Sequence, residues 1–252
     1  MAEMILCIPG RWRDTKEFVR QFVSLNPNGR YMFAGGILAD LEKKDHVPLD
    51  FCAADANLRR AFEIAGQRKI PEELLVELEQ HSAIAYLRFA LDLPRERERI
   101  LEFSSLLRRI GGLAVKVESA GIAHTWERWS LLLSGTPFDL YSAVVVLVGD
   151  NDPGKSPTGE KYYHSCGMHH FGLPECAAPR SMSAPDAADL INRFNFWRIV
   201  ERPVLSDGHT FSAAPSTPHF RMTLEPDSRH EVDDPFHNAH GVWCLRGVPT
   251  AV

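Results

Sequence analysis

The segment from His164 to Cys176 carries the densest set of side chains that could do chemistry. Imidazole nitrogens and thiolates are ligands that zinc and related metals prefer, and His164, Cys166 and His169 are close enough in sequence to share one ion if the loop curls. The spacing matches no standard zinc signature. On an extended strand, His164 and Cys166 would also point away from His169. A structural role is therefore favoured, with a metal site as the alternative.

Two further groupings could support catalysis. Cys166 could act as a nucleophile if a neighbouring imidazolium lowered its pKa, but a free cysteine is more often a small buried apolar residue. Glu118 could act as a general base and His124 as an acid, beside Lys116, if these side chains met across a cleft. A salt-bridged strand end is the favoured interpretation of this second grouping.

Residues 149–156 read GDNDPGKS, which satisfies the written pattern of a phosphate-binding loop after a strand. Such a loop works because backbone N–H groups and the N-terminus of the following helix point at phosphate. Here Pro157 and Gly159 interrupt that helix, and Asp150 and Asp152 would place carboxylates beside an anion. The sequence therefore predicts a solvated loop and no nucleotide site.

Acidic residues concentrate in two segments, one between Leu224 and Phe236 and one in the loop after residue 149. A negative surface can steer a basic partner towards its binding site, which raises the association rate more than the affinity. The candidate partner-binding residues are Glu225, Asp227, Glu231, Asp233, Asp234, Asp150 and Asp152.

The first half of the chain alternates predicted strands with predicted helices. Apolar extended runs predict strands at residues 4–8, 31–34, 84–91, 113–117 and 141–148. Apolar residues at helical spacing predict helices at residues 14–23, 55–65, 94–110 and 123–133. The first half is therefore predicted to consist of repeated strand–helix units.

The second half contains one long predicted helix that begins at Pro185. Short extended pieces follow around residues 210–211, 220–222 and 242–245. The sequence therefore predicts an α+β fold, with a mixed sheet and helices, and with short antiparallel strands in the second half. We expect a single two-lobed domain over residues 1–252, with lobes at 1–150 and 160–252.

Composition and charge exclude several classes of protein. The 252 residues include 28 Lys and Arg against 33 Asp and Glu, and the net charge of −5 argues against a basic nucleic-acid binder. The most apolar run, residues 143–148, is far shorter than the roughly 18 residues that span a bilayer. The apolar stretch at residues 4–8 is too short for a signal peptide, and the five scattered cysteines suit reduced thiols. We expect a cytoplasmic protein that contacts neither membrane nor nucleic acid directly.

The segment 164–175, followed by the long helix and by the sequence DGHTF at residues 207–211, resembles the bacterial domain-of-unknown-function family 4261. The resemblance is strongest over residues 161–212 and extends more loosely to residues 7–10 and 115–118. That family carries no established activity, so the resemblance implies no catalytic residue. It implies a cytosolic accessory protein, and some such proteins resemble immunity proteins that protect a cell from a secreted toxin.

Two function hypotheses follow. In the first, the chain is an immunity protein without a cofactor, which binds and neutralises a toxin effector, such as a nuclease, delivered by type VI secretion or a similar system. A structural protein of the secretion complex would show the same sequence features. In the alternative, the chain is a metal-dependent hydrolase, with His164, Cys166 and His169 as ligands and Glu118 or Glu175 as base. The first hypothesis predicts a protein partner, and the alternative predicts a bound metal.

Overall fold

The computed structural model describes residues 3–24, 26, 28–149, 162–215 and 217–248. The chain divides into two compact units, Met1–Ala143 and Val144–Val252, and the predicted α+β class is confirmed. The division falls before the predicted lobe boundary at residue 150, because residues 146–149 pair with a strand of the second unit. Among the described residues, no helix is both long enough and apolar enough to cross a bilayer.

The first unit is built on an antiparallel seven-stranded sheet. Its strands are β1 (Glu3–Gly10), β2 (Tyr31–Ala34), β3 (Ile37–Asp40), β4 (Asp45–Ala53), β5 (Ala83–Ala90), β6 (Val115–Val117) and β7 (Ile122–His124), in the order β2-β3-β4-β5-β1-β6-β7. The predicted strands at 4–8 and 84–91 are confirmed as the central pair β1 and β5. Both are apolar over most of their length because both faces of the sheet are covered at its centre.

Helices cover the centre of this sheet. They are α1 (Thr15–Ser24), α2 (Leu58–Ala65), α3 (Glu72–Glu79), α4 (Leu93–Arg109) and α5 (Trp126–Ser134), and α6 (Pro137–Val144) leads to the unit boundary. Helices α2 and α3 bury Phe62 and Leu78 against Cys7 and Ile84 on one face of the sheet. Successive residues alternate between faces, so the buried side chain of Leu6 belongs to the opposite face.

The predicted strand at 141–148 is wrong over its first half, where the chain forms α6. The reason is a reciprocal cap at the start of that helix. The Asp139 carboxylate accepts hydrogen bonds from the Thr136 backbone N–H at 2.9 Å and its hydroxyl at 2.7 Å, and the Thr136 hydroxyl accepts from the Asp139 backbone N–H at 3.3 Å. Such a cap satisfies N–H groups that the first turn leaves unpaired, which favours a helix in an otherwise ambiguous apolar run.

The second unit is a six-stranded mixed sheet. Its strands are β8 (Val146–Gly149), β9 (Tyr162–Cys166), β10 (Glu175–Pro179), β11 (Thr210–Phe211), β12 (Phe220–Glu225) and β13 (Val242–Gly247), in the order β11-β12-β13-β10-β9-β8. Strands β10 and β13 are parallel and the other pairs are antiparallel, as predicted for the second half. The predicted long helix is confirmed as α7 (Ala184–Glu201), which packs Ile191 and Phe194 against one face of this sheet.

Candidate functional site

The second unit contains a buried carboxylate, Glu175, at the first position of β10. Only 1% of this residue is exposed. Cys176 and Ala178 pack in the core beneath α7, so the alternation of the strand places the Glu175 side chain on the opposite face of the sheet. An ionised carboxylate at such a position is strongly destabilising unless hydrogen bonds and opposite charges compensate it.

Donors from three segments surround the Glu175 carboxylate. They are the Ser165 hydroxyl at 2.7 Å, the backbone N–H groups of Met168 at 2.9 Å and Gly167 at 3.1 Å, Asn238 Nδ2 at 3.0 Å, and His169 Nδ1 at 3.4 Å. Of the two backbone donors, Gly167 immediately precedes the short 3-10 turn Met168–Phe171 and Met168 begins it. The segment 164–176, which the sequence singles out for possible metal chemistry, therefore folds around its own glutamate.

A second buried carboxylate, Asp227, lies in the connection between β12 and β13. Its oxygens accept hydrogen bonds from Arg229 Nε at 3.0 Å, from His230 Nδ1 at 3.2 Å and from the Asn238 backbone N–H at 3.1 Å. The Asp227 side chain is fully buried, and that of Arg229 is almost so. The ion pair is therefore shielded from solvent, which strengthens it relative to a surface pair.

Asn238 joins the two carboxylates. Its backbone N–H donates to Asp227, while its side-chain Nδ2 donates to Glu175 and, at 2.9 Å, to the carbonyl oxygen of Leu173. We call residues 226–241 the pinned loop, because Asp227 near its start and Asn238 near its end are both tied by buried hydrogen bonds. This link between the His/Cys segment and the acidic segment is the main feature that sequence reasoning missed.

The surroundings keep both carboxylates ionised. Burial acts to raise the pKa of Glu175, but the hydrogen bond and charge of His169, the Ser165 hydroxyl and the charge of Arg229 outweigh it and lower that pKa to about 2. Burial is likewise outweighed at Asp227, whose pKa lies well below its usual value because of His230 and Arg229. Carboxylates of this kind stabilise a fold above their ordinary pKa near 4 and lose that contribution as the pH falls below it.

The predicted acidic partner surface is only partly a surface. Glu231 and Asp233 are exposed at the tip of the pinned loop, and Val232 between them is 85% exposed. The prediction that Asp227 is exposed is wrong, because its ion pairs and hydrogen bonds are internal. Asp234 is half-buried and caps the Phe236 backbone N–H at 2.8 Å. The remaining predicted members are Glu225, which is half-buried and paired with Arg246 at 3.0 Å, and Asp150 and Asp152, which lie outside the described residues.

The alternative metal set of His164, Cys166 and His169 is not brought together. Within the described ranges, no group of three or more His, Cys, Asp or Glu side chains is arranged to hold a metal ion. His169 directs Nδ1 at Glu175. Burial raises the pKa of the Cys166 thiol, which disfavours the thiolate that a metal ligand or nucleophile requires. The phosphate-loop pattern cannot be placed, because residues 150–161 lie outside the described residues.

No family model, curated protein or solved structure matches this chain. The resemblance to family 4261 therefore stays a prediction.

The remaining sequence candidates belong to the first unit. Lys116 and Glu118 form an ion pair at the end of β6, which confirms the salt-bridged strand end. His124 is buried, with Nε2 at 2.9 Å from the carbonyl oxygen of Ala143 and its ring stacked on Trp129 at 5.9 Å. Burial lowers its pKa to about 4. His124 is thus a neutral core residue, and no proton-transfer pair with Glu118 is formed.

Burial of a neutral histidine is expected to make the free energy of unfolding depend on pH. In the unfolded chain a histidine binds a proton below about pH 6.5, whereas folded His124 resists protonation down to about pH 4. The unfolded state therefore binds more protons in this window, and His124 contributes stability above pH 6.5 that is lost as the pH falls towards 4. At about 1.4 kcal/mol per pH unit, we expect a loss of about 3 kcal/mol from His124 alone.

Urea unfolding at pH 7.0, 5.5 and 4.5 measures this loss. His124→Phe is expected to reduce the slope of the unfolding free energy against pH. The reduction corresponds to about one proton fewer bound on unfolding, or about 1.4 kcal/mol per pH unit. His46→Gln, which removes a histidine at an exposed position of β4, is the matched control. An unaltered slope in His124→Phe would contradict the assignment.

Proposed function

We propose that this chain is a non-enzymatic protein-binding protein that acts through the pinned loop. One observation carries the proposal: buried ties near both ends of the loop hold an exposed tip of Glu231, Val232 and Asp233 in place. A loop that is already ordered loses little conformational entropy when it binds, so more of its contact energy appears as affinity. Binding residues are also found disproportionately on loops that a rigid scaffold positions.

The chemistry of the tip favours a basic partner with an apolar contact point. Single exposed apolar residues are common on protein surfaces, so Val232 alone argues little. Its position between two exposed carboxylates gives a small apolar centre with a charged rim, which is the general anatomy of a protein interface. The carboxylates would raise the association rate by electrostatic steering.

We further propose that the partner is a toxin effector and that this chain is its immunity protein in the cytoplasm, without a cofactor. The resemblance to family 4261 supports this step, together with the acidic net charge. A nuclease delivered by type VI secretion or a similar system fits best, because enzymes that bind nucleic acid tend to be basic. The metal-dependent hydrolase has no such support, since its ligands are not grouped in the described part of the chain.

The proposal is tested first by finding the partner. The tagged protein is purified from its native lysate, co-purifying proteins are identified by mass spectrometry, and each is expressed alone and beside this chain. A stoichiometric partner that arrests growth alone and is harmless beside this chain is the expected result. Absence of any protein that is both stoichiometric and neutralised would overturn the immunity proposal.

The tip is then tested by charge removal. In complexes with the identified partner, Glu231→Gln with Asp233→Asn is expected to lower the association rate constant about tenfold at low salt and to flatten its salt dependence. Glu63→Gln with Glu73→Gln removes the same charge from exposed helix positions of the first unit and is the matched control. Stopped-flow association rates over a salt series measure both, and equal rates for the two double variants would contradict a role for the tip.

A further inference from the structure

A small pocket of about 220 Å³ lies in the second unit, at the C-terminal end of α7. Leu173 and Pro174 contribute to its wall from the segment before β10, and Trp243 contributes from β13. The rest of the wall comes from the last turn of α7 and the residues after it, which are Arg198, Arg202, Pro203 and Leu205. The volume is below the range of about 300–1,000 Å³ typical of sites for drug-sized ligands, so we expect a small ligand.

The wall combines apolar surface with positive charge. Two leucines, two prolines and the indole ring of Trp243 supply the apolar surface, and Arg198 and Arg202 supply two guanidinium groups. None of the described residues that form the wall is acidic. Because a guanidinium is not deprotonated in proteins, both groups stay positively charged. The pocket therefore favours a ligand that carries an anionic group on an apolar body.

Arg202 is the guanidinium that a ligand can reach. It ends α7 and is exposed. Its Nη1 donates a hydrogen bond to the carbonyl oxygen of Phe171 at 3.0 Å, and within the described ranges Arg202 forms no ion pair. The edge formed by Nε and Nη2 is thus left for a bidentate contact with a carboxylate. A side chain that is already held through one nitrogen also loses less conformational entropy on binding.

Trp243 offers a further hydrogen-bond donor. In the part of the chain that the structure describes, its indole N–H meets no acceptor, whereas the indole N–H groups of the other four tryptophans all donate hydrogen bonds. Trp243 is only 5% exposed, and buried indole N–H groups usually find a partner. Its nitrogen is not fully enclosed, so a ligand oxygen can supply the missing acceptor.

Arg198 adds charge without contacting the ligand directly. Its Nε and Nη1 atoms are enclosed, its Nη2 donates to Asn195, and the guanidinium carbon lies 4.5 Å from the centre of the Phe194 ring. A buried positive charge still attracts an anion through the protein interior. The C-terminal end of α7 opposes this attraction with about half a negative charge, which two guanidinium groups outweigh.

We propose that this pocket binds a small carboxylate with an apolar body, such as an aromatic or a branched aliphatic acid. The carboxylate would accept two parallel hydrogen bonds from Arg202, while the body contacts the indole ring of Trp243 and the apolar wall. Only one guanidinium is open to contact, which suits a monoanion better than a phosphate dianion, because a dianion costs more to desolvate. The loop tip of Glu231 and Asp233 does not line the pocket, so the proposal does not rest on the proposed function.

The test is an NMR-detected titration of the full chain with benzoate, benzamide and acetate at constant ionic strength. Benzamide has the shape of benzoate without its charge, and acetate has the charge without the ring. We expect saturable shifts with benzoate at the backbone amides of Leu173 and Leu205 and at the indole N–H of Trp243. Loss of a charged hydrogen-bonding pair, or of a buried ring, corresponds to about tenfold in affinity. Benzamide and acetate are each expected to bind more weakly by at least that factor.

Two substitutions of Arg202 separate its charge from its geometry. Arg202→Gln should weaken benzoate binding about tenfold, and Arg202→Lys, which keeps the charge and loses the bidentate edge, should weaken it less. Arg193→Gln removes a guanidinium from an exposed position of the same helix, outside the pocket, and is the matched control. Its affinity for benzoate should equal that of the unaltered chain.

Several results would overturn the proposal. The absence of saturable shifts with benzoate would show that the pocket does not take this class of ligand. Equal affinities for benzoate and benzamide would remove the role of charge, and equal affinities for benzoate and acetate would remove the role of the apolar wall. Equal benzoate affinities in Arg202→Gln and Arg193→Gln would show that Arg202 does not hold the carboxylate.

Discussion

Replacement of Glu175 by leucine is expected to lower the free energy of unfolding by about 4 kcal/mol. Leucine cannot accept the hydrogen bonds of Ser165, Met168 and Asn238, and a buried donor without a partner costs about 1–3 kcal/mol. The positive charge of Arg229 would also lose a nearby buried carboxylate. Urea unfolding monitored by circular dichroism measures the change.

Glu175→Gln separates hydrogen bonding from charge. The amide oxygen can still accept from Met168 and Asn238, and the Ser165 hydroxyl can accept from the new NH₂ group, so we expect a loss of only about 1–2 kcal/mol. Glu73→Gln at an exposed position of α3 should change stability by less than about 0.5 kcal/mol. A glutamine variant less stable than the leucine variant would contradict the account, because it would make hydrogen-bond acceptance irrelevant.

The same pair of variants tests whether the network orders the pinned loop. Asn238 is tied to Glu175 by one side-chain hydrogen bond, so Glu175→Leu should speed hydrogen exchange at the backbone amides of residues 227–238 more than at the centre of α7. Glu175→Gln should leave exchange in the loop nearly unchanged. Uniform acceleration in both regions would indicate global destabilisation instead of local release of the loop.

The elements that sequence patterns predicted correctly are those whose signal is local. The apolar strands at 4–8 and 84–91 and the helix from Pro185 each show their own periodicity, and each exists in the structure. The apolar run 141–148 carries no period that separates helix from strand, so the cap formed by Thr136 and Asp139 decides its first half. In the sequence, the signal of that cap is a pair of polar residues three positions apart.

The candidate site depends on contacts that no local pattern contains. The parallel register of β10 and β13 places Glu175 opposite Val242 and so brings the end of the pinned loop beside the 3-10 turn. The composition of each segment predicts that it is functionally important, but no local pattern predicts that the two segments are in contact. The density of acidic residues in this segment predicts that Asp227 lies on a solvated surface. In the structure, Arg229 and His230, which are close to it in sequence, pair with Asp227 and bury it.

The second large effect is expected at Gly167, which precedes the 3-10 turn and donates its backbone N–H to Glu175. Its φ is +121°, a conformation that side chains with a Cβ rarely adopt, and a Cβ there would overlap the carbonyl oxygen of Val144. Gly167→Ala should therefore combine backbone strain of about 1–2 kcal/mol with steric overlap of about 1–3 kcal/mol. We expect a total loss of about 4 kcal/mol in the free energy of unfolding.

Gly172→Ala is the matched control for this effect. Gly172 follows the same turn with φ +65°, and a Cβ there would meet no atom within 4 Å. The control should therefore show the strain alone, about 1 kcal/mol. Because the displaced turn carries Met168 and His169 away from Glu175, Gly167→Ala should also release the pinned loop to faster hydrogen exchange, and Gly172→Ala should not. Equal losses of unfolding free energy in the two variants would show that the turn can shift away from Glu175 without loss of stability. The network around Glu175 would then not be what holds the pinned loop in place.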